Sequence, residues 1–114
     1  MQPDDRALVI RMLVEIDDAL EFARGYDRKK FIADRRTHRA AAYSIQNVGE
    51  SARYLTREFQ RTHPQVEWPK VVGMRHRIVH NYWDVNYQRV WAVVKNELPG
   101  LRGALAPLVD EEPE

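Results

Sequence analysis

The fold is decided by residues 34–63, which read DRRTHRAAAYSIQNVGESARYLTREFQRTH. Apolar side chains recur there in alternating steps of four and three, at Ala41, Ile45, Val48, Ala52, Leu55 and Phe59. This near-heptad spacing places them on one face of an α-helix and is typical of helices that pack almost antiparallel in a bundle. Asp34 is expected to open the helix, and His63 to end it because a proline follows. The stretch predicts one long helix.

Helical periodicity also dominates the sequence on both sides of that stretch. One helix is predicted to begin near Pro3 and to end at Gly25, and residues 28–33 are predicted to form a short turn or helix. Another helix is predicted to begin at Trp68, where the following proline suits a first helical turn, and to end near His80.

The last helix is predicted to begin near Asp84 or Asn86 and to be kinked or broken at Pro99-Gly100. No long stretch alternates apolar and polar residues with period two, so no strand is predicted. The expected fold is all-α, an up-and-down bundle of four to five helices. It forms a single domain over residues 1–114, with a frayed acidic tail at residues 110–114.

Composition narrows the class of protein. The chain has 114 residues, of which 44% are apolar and 31% charged, as in an ordinary globular domain. Cysteine is absent, which excludes disulfides, a thiol nucleophile and a cysteine zinc site. No apolar run approaches the roughly 18 residues of a membrane span, and the acidic N-terminus does not resemble a signal peptide. A cytoplasmic protein without a membrane partner is expected.

Charge is balanced overall at +1 but uneven along the chain. Residues 1–23 carry a net charge of −4, whereas residues 24–39 hold seven lysines and arginines against two aspartates. Such a basic run concentrates phosphates near it and permits an RNA partner; a solvated surface explains it equally well.

Groups that can move protons or hold phosphate are concentrated in residues 73–83, which read GMRHRIVHNYW. The set comprises Arg75, His76, Arg77, His80 and Tyr82. Histidine titrates near neutral pH and can act as base and as acid, whereas arginine stays charged and grips phosphate oxygens. An arginine and a histidine therefore suffice for metal-free RNA cleavage, in which a ribose 2′-hydroxyl attacks its own phosphate.

Helix geometry constrains how Arg75 and His80 could act together. On one regular helix they would point about 140° away from each other. Three arrangements overcome this separation: the helix unwinds by Asn81, the long Arg75 side chain wraps around it, or each group meets a counterpart across the two-fold axis of a dimer.

Structural explanations stay open for the same residues. His80 could be a half-buried histidine bonded to a carbonyl, and Tyr82 and Trp83 could be core aromatics at a helix end. His76 and His80 have the i, i+4 spacing of a helical zinc pair, but no third ligand is evident, so no metal is expected. Arg77 is expected at the surface or on a phosphate.

Three further titratable residues lie elsewhere in the predicted helices. His38, in the basic run, and His63, before a proline, are both expected in solvent. Glu50 is expected either to pair with an arginine across the bundle or to be exposed.

The pattern Arg75-x4-His80-x-Tyr82 resembles the HEPN superfamily, and within it the HepT-type toxins that are paired with minimal nucleotidyltransferase antitoxins. The superfamily motif has a polar residue after the arginine, then a short spacer and a histidine. Residues 45–52, with their Gly-Glu pair, and the tryptophan-containing flanks also resemble the family, so that the likeness covers nearly the whole chain. One departure is His76, where the family commonly has Asn or Asp.

The resemblance implies a homodimeric helical bundle whose cleft carries Arg75 and His80 from both subunits. It implies metal-independent endoribonuclease activity on tRNA or mRNA, without a cofactor. In that scheme His80 is the general base or acid and Arg75 stabilises the transition state, while His76 and Arg77 orient or bind RNA.

The resemblance also implies control by a cognate nucleotidyltransferase antitoxin, which transfers AMP to Tyr82 in a type VII-like toxin–antitoxin pair. Two other functions stay open. The protein could be a non-catalytic nucleotide- or RNA-binding partner subunit of a nucleotidyltransferase, or a plain helical dimerisation module.

Overall fold

The computed structural model describes residues 2–81 and 84–111. Its elements are α1 (Pro3–Phe22), α2 (Arg28–Ala33), α3 (Arg35–Arg53), α4 (Arg57–Thr62), α5 (Trp68–Val72), α6 (Met74–Ile78), β1 (Val79–Asn81), β2 (Asp84–Val85), α7 (Tyr87–Asn96), α8 (Leu98–Leu105) and a 3₁₀-helix (Ala106–Asp110). The predicted all-α class is confirmed. The acidic tail predicted to fray overlaps the 3₁₀-helix at Asp110, and residues 112–114 lie outside the described ranges. Within those ranges, no helix has the length and apolar character needed to cross a bilayer.

The core lies between α1 and α3, the two long helices, which pack along each other. α5, α6 and α7 pack against α3, and α8 packs against α1 and α7. The fully buried side chains of the two long helices include Val9, Met12, Ile16, Ile45 and Val48. At the rim of this contact, Asn47 Nδ2 donates a hydrogen bond to Glu15 Oε2 at 2.8 Å. The apolar stripes read from the sequence therefore face one common core.

The single long helix predicted over residues 34–63 is wrong, because the chain turns at Thr56 between α3 and α4. The Thr56 hydroxyl caps α4 by accepting from the N–H of Phe59 at 3.1 Å. The Thr56 N–H and hydroxyl also donate to the carboxylate of buried Asp5, at 2.9 and 2.8 Å. Leu55 and Phe59 are buried as the pattern predicts. Burial was thus readable from the spacing, whereas the turn depends on a residue 51 positions away.

The helix predicted from Trp68 to His80 is also interrupted and ends early. Gly73 separates α5 from α6, and α6 ends at Ile78. The chain then extends into β1, which pairs antiparallel with β2 so that Val79 lies opposite Val85. The prediction of no strand is wrong, because strands of two and three residues are too short to display a period of two.

Other helix boundaries are confirmed. Gly25 follows α1 with φ of +78°, a left-handed conformation that glycine adopts without strain, and α2 covers residues 28–33. Asn86 opens α7 as its N-cap, accepting from the N–H of Arg89 at 3.1 Å. The last helix is broken as predicted, but the break lies at Glu97 and not at Pro99-Gly100, because Pro99 is accommodated in the first turn of α8.

Two histidines expected in solvent are enclosed instead. His63 is buried, with Nδ1 2.8 Å from the carbonyl oxygen of Phe59 and Nε2 2.9 Å from Glu111 Oε1. His38 is half-buried, and its ring stacks on Tyr87 with centroids 3.8 Å apart. Both expectations failed because Glu111 and Tyr87, which help to enclose the two rings, are distant in the sequence and lie outside any local window.

α3 and α5 come into close contact at Gly49. A Cβ atom at this position would lie 3.2 Å from the carbonyl oxygen of Val71 and 3.3 Å from that of Val72. Helix carbonyls cannot yield without moving the helix that carries them. The absence of a side chain at Gly49 therefore lets α5, and with it α6, lie against α3.

Gly49→Ala is expected to lower the free energy of unfolding by about 1–2 kcal/mol, because the strained contact with two carbonyls outweighs the roughly 1 kcal/mol by which alanine favours a helix. The matched control is Gly103→Ala in α8, where a Cβ meets no atom within 4 Å. The control should gain about 0.5–1 kcal/mol. Urea denaturation measures both, and equal stabilisation of the two variants would contradict the close contact.

Candidate active site

The exposed face of α6 presents Arg75 and His76. Met74 and Ile78 of the same short helix are buried against the core, which fixes the orientation of α6. Arg75 and His76 lie on the outer side and are exposed, whereas Arg77 is partly buried. Two of the residues that the sequence singled out are thereby accessible to a large anionic substrate.

The end of α6 at Ile78 changes the relation between Arg75 and His80. His80 lies on β1, so that the 140° separation expected on one regular helix does not apply. Of the three arrangements considered from the sequence, unwinding of the helix before Asn81 is observed, and a meeting of the two groups across a two-fold axis stays a prediction. The same unwinding removes the helical i, i+4 geometry of a zinc pair between His76 and His80. The His80 side chain lies outside the described part, as do Tyr82 and Trp83.

The base of the β1–β2 hairpin is closed by a backbone contact. The N–H of Asn86 donates to the carbonyl oxygen of Ile78 at 2.7 Å, joining the residue after β2 to the last residue of α6. The chain between these two residues, which contains His80 and Tyr82, therefore leaves and returns at one place on the bundle. Its ends are fixed by α6 and α7.

Arg77 ties α6 to the end of α7. Its guanidinium forms two hydrogen bonds with Glu97, one of them between Nη1 and Oε1 at 2.8 Å. Lys70 adds a second cation, with Nζ 3.6 Å from Glu97 Oε1. The hydrogen bonds from Arg77 hold the pKa of the Glu97 carboxyl below its usual range, and the same contact raises the pKa of Arg77. Glu97 thus competes with phosphate for Arg77, whose contact with RNA stays a prediction.

The basic run of residues 24–39 folds into α2 and the start of α3. Both of its aspartates serve as N-caps: Asp27 accepts from the N–H of Lys30 at 2.8 Å, and Asp34 accepts from the N–H of Thr37 at 3.1 Å. Tyr26 donates its hydroxyl proton to Asp34 at 2.6 Å, which keeps the pKa of that carboxyl below its usual range. The acids of the run are therefore occupied by local structure, and its positive charge remains at the surface.

Two residues near the site were judged incompletely from the sequence. Glu97 was not singled out from the sequence, because its partner Arg77 lies 20 positions away, beyond any local pattern. Glu50 is exposed and contacts Arg53 on its own helix at 3.6 Å, so the pairing across the bundle is not observed for it.

Comparison with known proteins identifies the family. Residues 12–108 match the family model HepT-like, described as Ribonuclease HepT-like. Among curated relatives, "Putative RNase MJ1380" of Methanocaldococcus jannaschii is 28% identical over 87% of this chain and 91% of its own length. "Putative RNase TTE0752" of Caldanaerobacter subterraneus subsp. tengcongensis is 29% identical over 94% of this chain and 96% of its own. "Probable ribonuclease HepT" of Thermococcus cleftensis is 28% identical over 84% of this chain and 91% of its own length. No solved structure matches the chain significantly.

An all-α bundle in which an exposed arginine and an exposed histidine precede a short hairpin agrees with a HEPN-type ribonuclease of the HepT kind. The family match covers most of the chain, and the chain is a member of the HepT-like ribonuclease family. The family resemblance inferred from residues 75–82 and their flanks is confirmed.

The contact between Arg77 and Glu97 is expected to make the stability of the fold depend on pH in the acidic range. The folded state favours the ionised form of Glu97, because its pKa is lowered there. The contribution of Glu97 to the free energy of unfolding is therefore complete above the ordinary glutamate pKa of about 4.3 and is lost as pH falls through the lower pKa of the folded state. Glu97→Gln should therefore cost about 1 kcal/mol at pH 7, a figure reduced for the partial exposure of Arg77, and much less at pH 3.

Urea denaturation of the parent and of Glu97→Gln at both pH values measures this difference. The control is Glu21→Gln, which loses a contact to Arg24 that is largely exposed and should change stability at neither pH. If Glu97→Gln lowered the free energy of unfolding equally at pH 3 and pH 7, the ionised carboxylate could not be the source of the loss.

Proposed function

We propose that this ribonuclease is a metal-independent endoribonuclease acting on tRNA or mRNA through Arg75 and His80, and that it is the toxin of a type VII-like toxin–antitoxin pair. The observation that carries the proposal is the end of α6 at Ile78. Because the helix ends there, exposed Arg75 lies on a helix and His80 lies on the strand that directly follows it. A flexible arginine and a histidine on adjoining elements suit two groups that act on one phosphate.

The proposed reaction is attack of a ribose 2′-oxygen on the adjacent phosphorus. His80 takes the proton from the 2′-hydroxyl, the 2′-oxygen bonds to phosphorus, and the bond from phosphorus to the 5′-oxygen breaks. A histidine acting as acid supplies the proton to the departing 5′-oxygen. The products are a 2′,3′-cyclic phosphate and a 5′-hydroxyl. Arg75 neutralises the negative charge that builds up on the phosphate oxygens in the transition state.

We propose further that two copies of the chain form the active cleft. One copy offers a single His80, whereas the reaction needs a base and an acid, and a two-fold axis supplies a second histidine. Large apolar side chains exposed on the two long helices support a dimer: Ile10 and Val14 on α1 are 38% and 54% exposed, and Tyr43 on α3 is 66% exposed. Burying such groups between subunits is favourable. His76 and Arg77 are assigned to orienting or binding RNA.

Control through Tyr82 completes the proposal. A nucleotidyltransferase antitoxin transfers AMP from ATP to the phenol oxygen of Tyr82 and releases pyrophosphate. An added nucleotide brings negative charge and bulk two residues from His80, which repels RNA and obstructs the cleft. The phenol is an acceptor and not a base, because its pKa near 10 leaves it protonated at neutral pH.

Arg75→Ala and His80→Ala are each expected to slow RNA cleavage by roughly 100-fold or more, because each removes a group needed in the transition state. Gel analysis of RNA in EDTA measures the rates, and mass spectrometry of the fragments should find 2′,3′-cyclic phosphate ends.

The matched control is Arg57→Ala, which removes an exposed arginine at the start of α4 and should cleave like the parent. Cleavage by His80→Ala at the parent rate would remove His80 from the role of base or acid. A parent that binds RNA without cutting it would favour the non-catalytic binding subunit, and one that does neither would favour the dimerisation module.

Tyr82→Phe should still cleave RNA but resist silencing by the cognate nucleotidyltransferase and ATP, because it keeps the ring and lacks the acceptor oxygen. The parent should gain mass in steps of AMP and lose its RNase activity. Intact-mass spectrometry with peptide mapping follows both changes. Tyr54→Phe, at an exposed tyrosine far along the chain, should be silenced like the parent. If the RNase activity of Tyr82→Phe were silenced as readily as that of the parent, regulation through Tyr82 would be contradicted.

A further inference from the structure

A positively charged groove runs along the outer side of α7. It has a volume of about 480 Å³ and is called the α7 groove below. The side chains that line it include those of Arg28, Arg89 and Lys95 and the amides of Asn86, Gln88 and Asn96. Three of these side chains are cationic, three are amides that can donate hydrogen bonds, and none of the residues that line it is a carboxylate.

Two of the three cations of the α7 groove, Arg89 and Lys95, are held by contacts of their side chains. Lys95 Nζ lies 5.0 Å from the ring centroid of Trp91, which itself packs against buried Phe31 at 5.0 Å. Arg89 uses one nitrogen, Nη1, to donate to the carbonyl oxygen of Arg77 at 3.3 Å, and its guanidinium has further N–H groups for a ligand. Arg28 begins α2, which packs against α7. Such preorganisation lowers the entropy lost when an anion binds.

The dimensions of the groove suit a strand more than a single phosphate. Arg89 and Lys95 are six positions apart on α7, which corresponds to about 9 Å along the helix axis. Cations spread along an axis suit more than one phosphate of a single strand, as in proteins that follow a nucleic-acid backbone without reading its bases.

The position of the groove connects it to the catalytic segment. Asn86 lines the groove and also closes the base of the β1–β2 hairpin through its contact with Ile78. The groove therefore begins where the segment containing His80 returns to the bundle. His38 stacks on Tyr87 and so brings the start of α3, which belongs to the basic run of residues 24–39, alongside α7.

Neighbouring hollows lack this uniform charge. The hollow lined by Arg77 and Arg89 includes Glu97, and the hollow beside Tyr26 includes Asp34. In each of these a carboxylate offsets the positive charge and would repel phosphate.

We propose that the α7 groove binds the ribose–phosphate backbone of the substrate RNA beside the bond that is cut. The inference rests on the proposed ribonuclease function and adds a binding surface to it. Contacts to phosphate are independent of base sequence, so the groove contributes affinity and register, and the choice of bond stays with the segment around Arg75 and His80.

The test changes all three cations to glutamine: Arg28→Gln, Arg89→Gln and Lys95→Gln in one protein. In a His80→Ala background, which binds without cutting, fluorescence anisotropy with labelled single-stranded RNA should find affinity reduced by roughly tenfold or more at physiological salt. The slope of log affinity against log salt should fall by about 2, since each lost contact to a single strand removes about 0.7. In the active background KM should rise and kcat should change little.

The matched control is Arg53→Gln, Arg57→Gln and Arg61→Gln, which removes the same charge from α3 and α4 and should keep the affinity and the salt slope. The double variant Arg28→Gln, Lys95→Gln changes only exposed residues and so guards against misfolding. Its salt slope should fall by about two thirds as much as that of the triple variant. Thermal denaturation checks that each variant is folded.

Unchanged RNA affinity and salt slope in the folded groove variants overturn the proposal, even if the parent cleaves RNA. Loss of binding to ATP or to the antitoxin, with RNA binding intact, assigns the groove to another partner and likewise overturns it. If the parent binds RNA through the groove but never cuts it, the groove proposal stands and the nuclease proposal fails.

Discussion

The contact of α3 with α5 at Gly49 is the constraint on which the rest of the site depends. Two carbonyl oxygens of α5 would lie only 3.2 and 3.3 Å from the Cβ atom of any other residue at this position. This close approach places α5, and then α6 after the break at Gly73, against the central helix of the bundle. The buried side chains of Met74 and Ile78 extend the same contact, so that the exposed face of α6 is set by what packs beneath it.

α7 secures the other side of α6. The hydrogen bonds from Arg77 to Glu97 and from Arg89 to the carbonyl of Arg77 connect the two helices. The backbone contact between Asn86 and Ile78 closes the hairpin that lies between them. A short segment too small to fold alone is therefore held at both ends by elements that belong to the core. Exposed Arg75 and His76 thus lie beside a segment whose two ends are fixed by the core, an arrangement that suits the proposed catalysis by positioned groups.

Much of the fold was readable because apolar periodicity reports burial directly. The apolar stripe of α3 and its opening at Asp34 were predicted from local pattern, and Asn86 was one of two candidates for the start of α7. The breaks at Thr56 and Gly73 were not, because helix periodicity continues across a turn whenever the buried face stays aligned. The turn at Thr56 is stabilised by Asp5 on another helix, and no window of local sequence contains both residues.

The sequence by itself determined the all-α class, the family and the set of candidate groups, because those depend on residue types at fixed spacing. Only the tertiary structure decided that α6 ends before His80, that Arg77 is engaged by Glu97, and that Arg28 joins Arg89 and Lys95 in one groove. These facts follow from contacts between residues far apart in the chain, such as Arg28 and α7. Their pairing is set by how the helices pack, which requires the whole core to be in place.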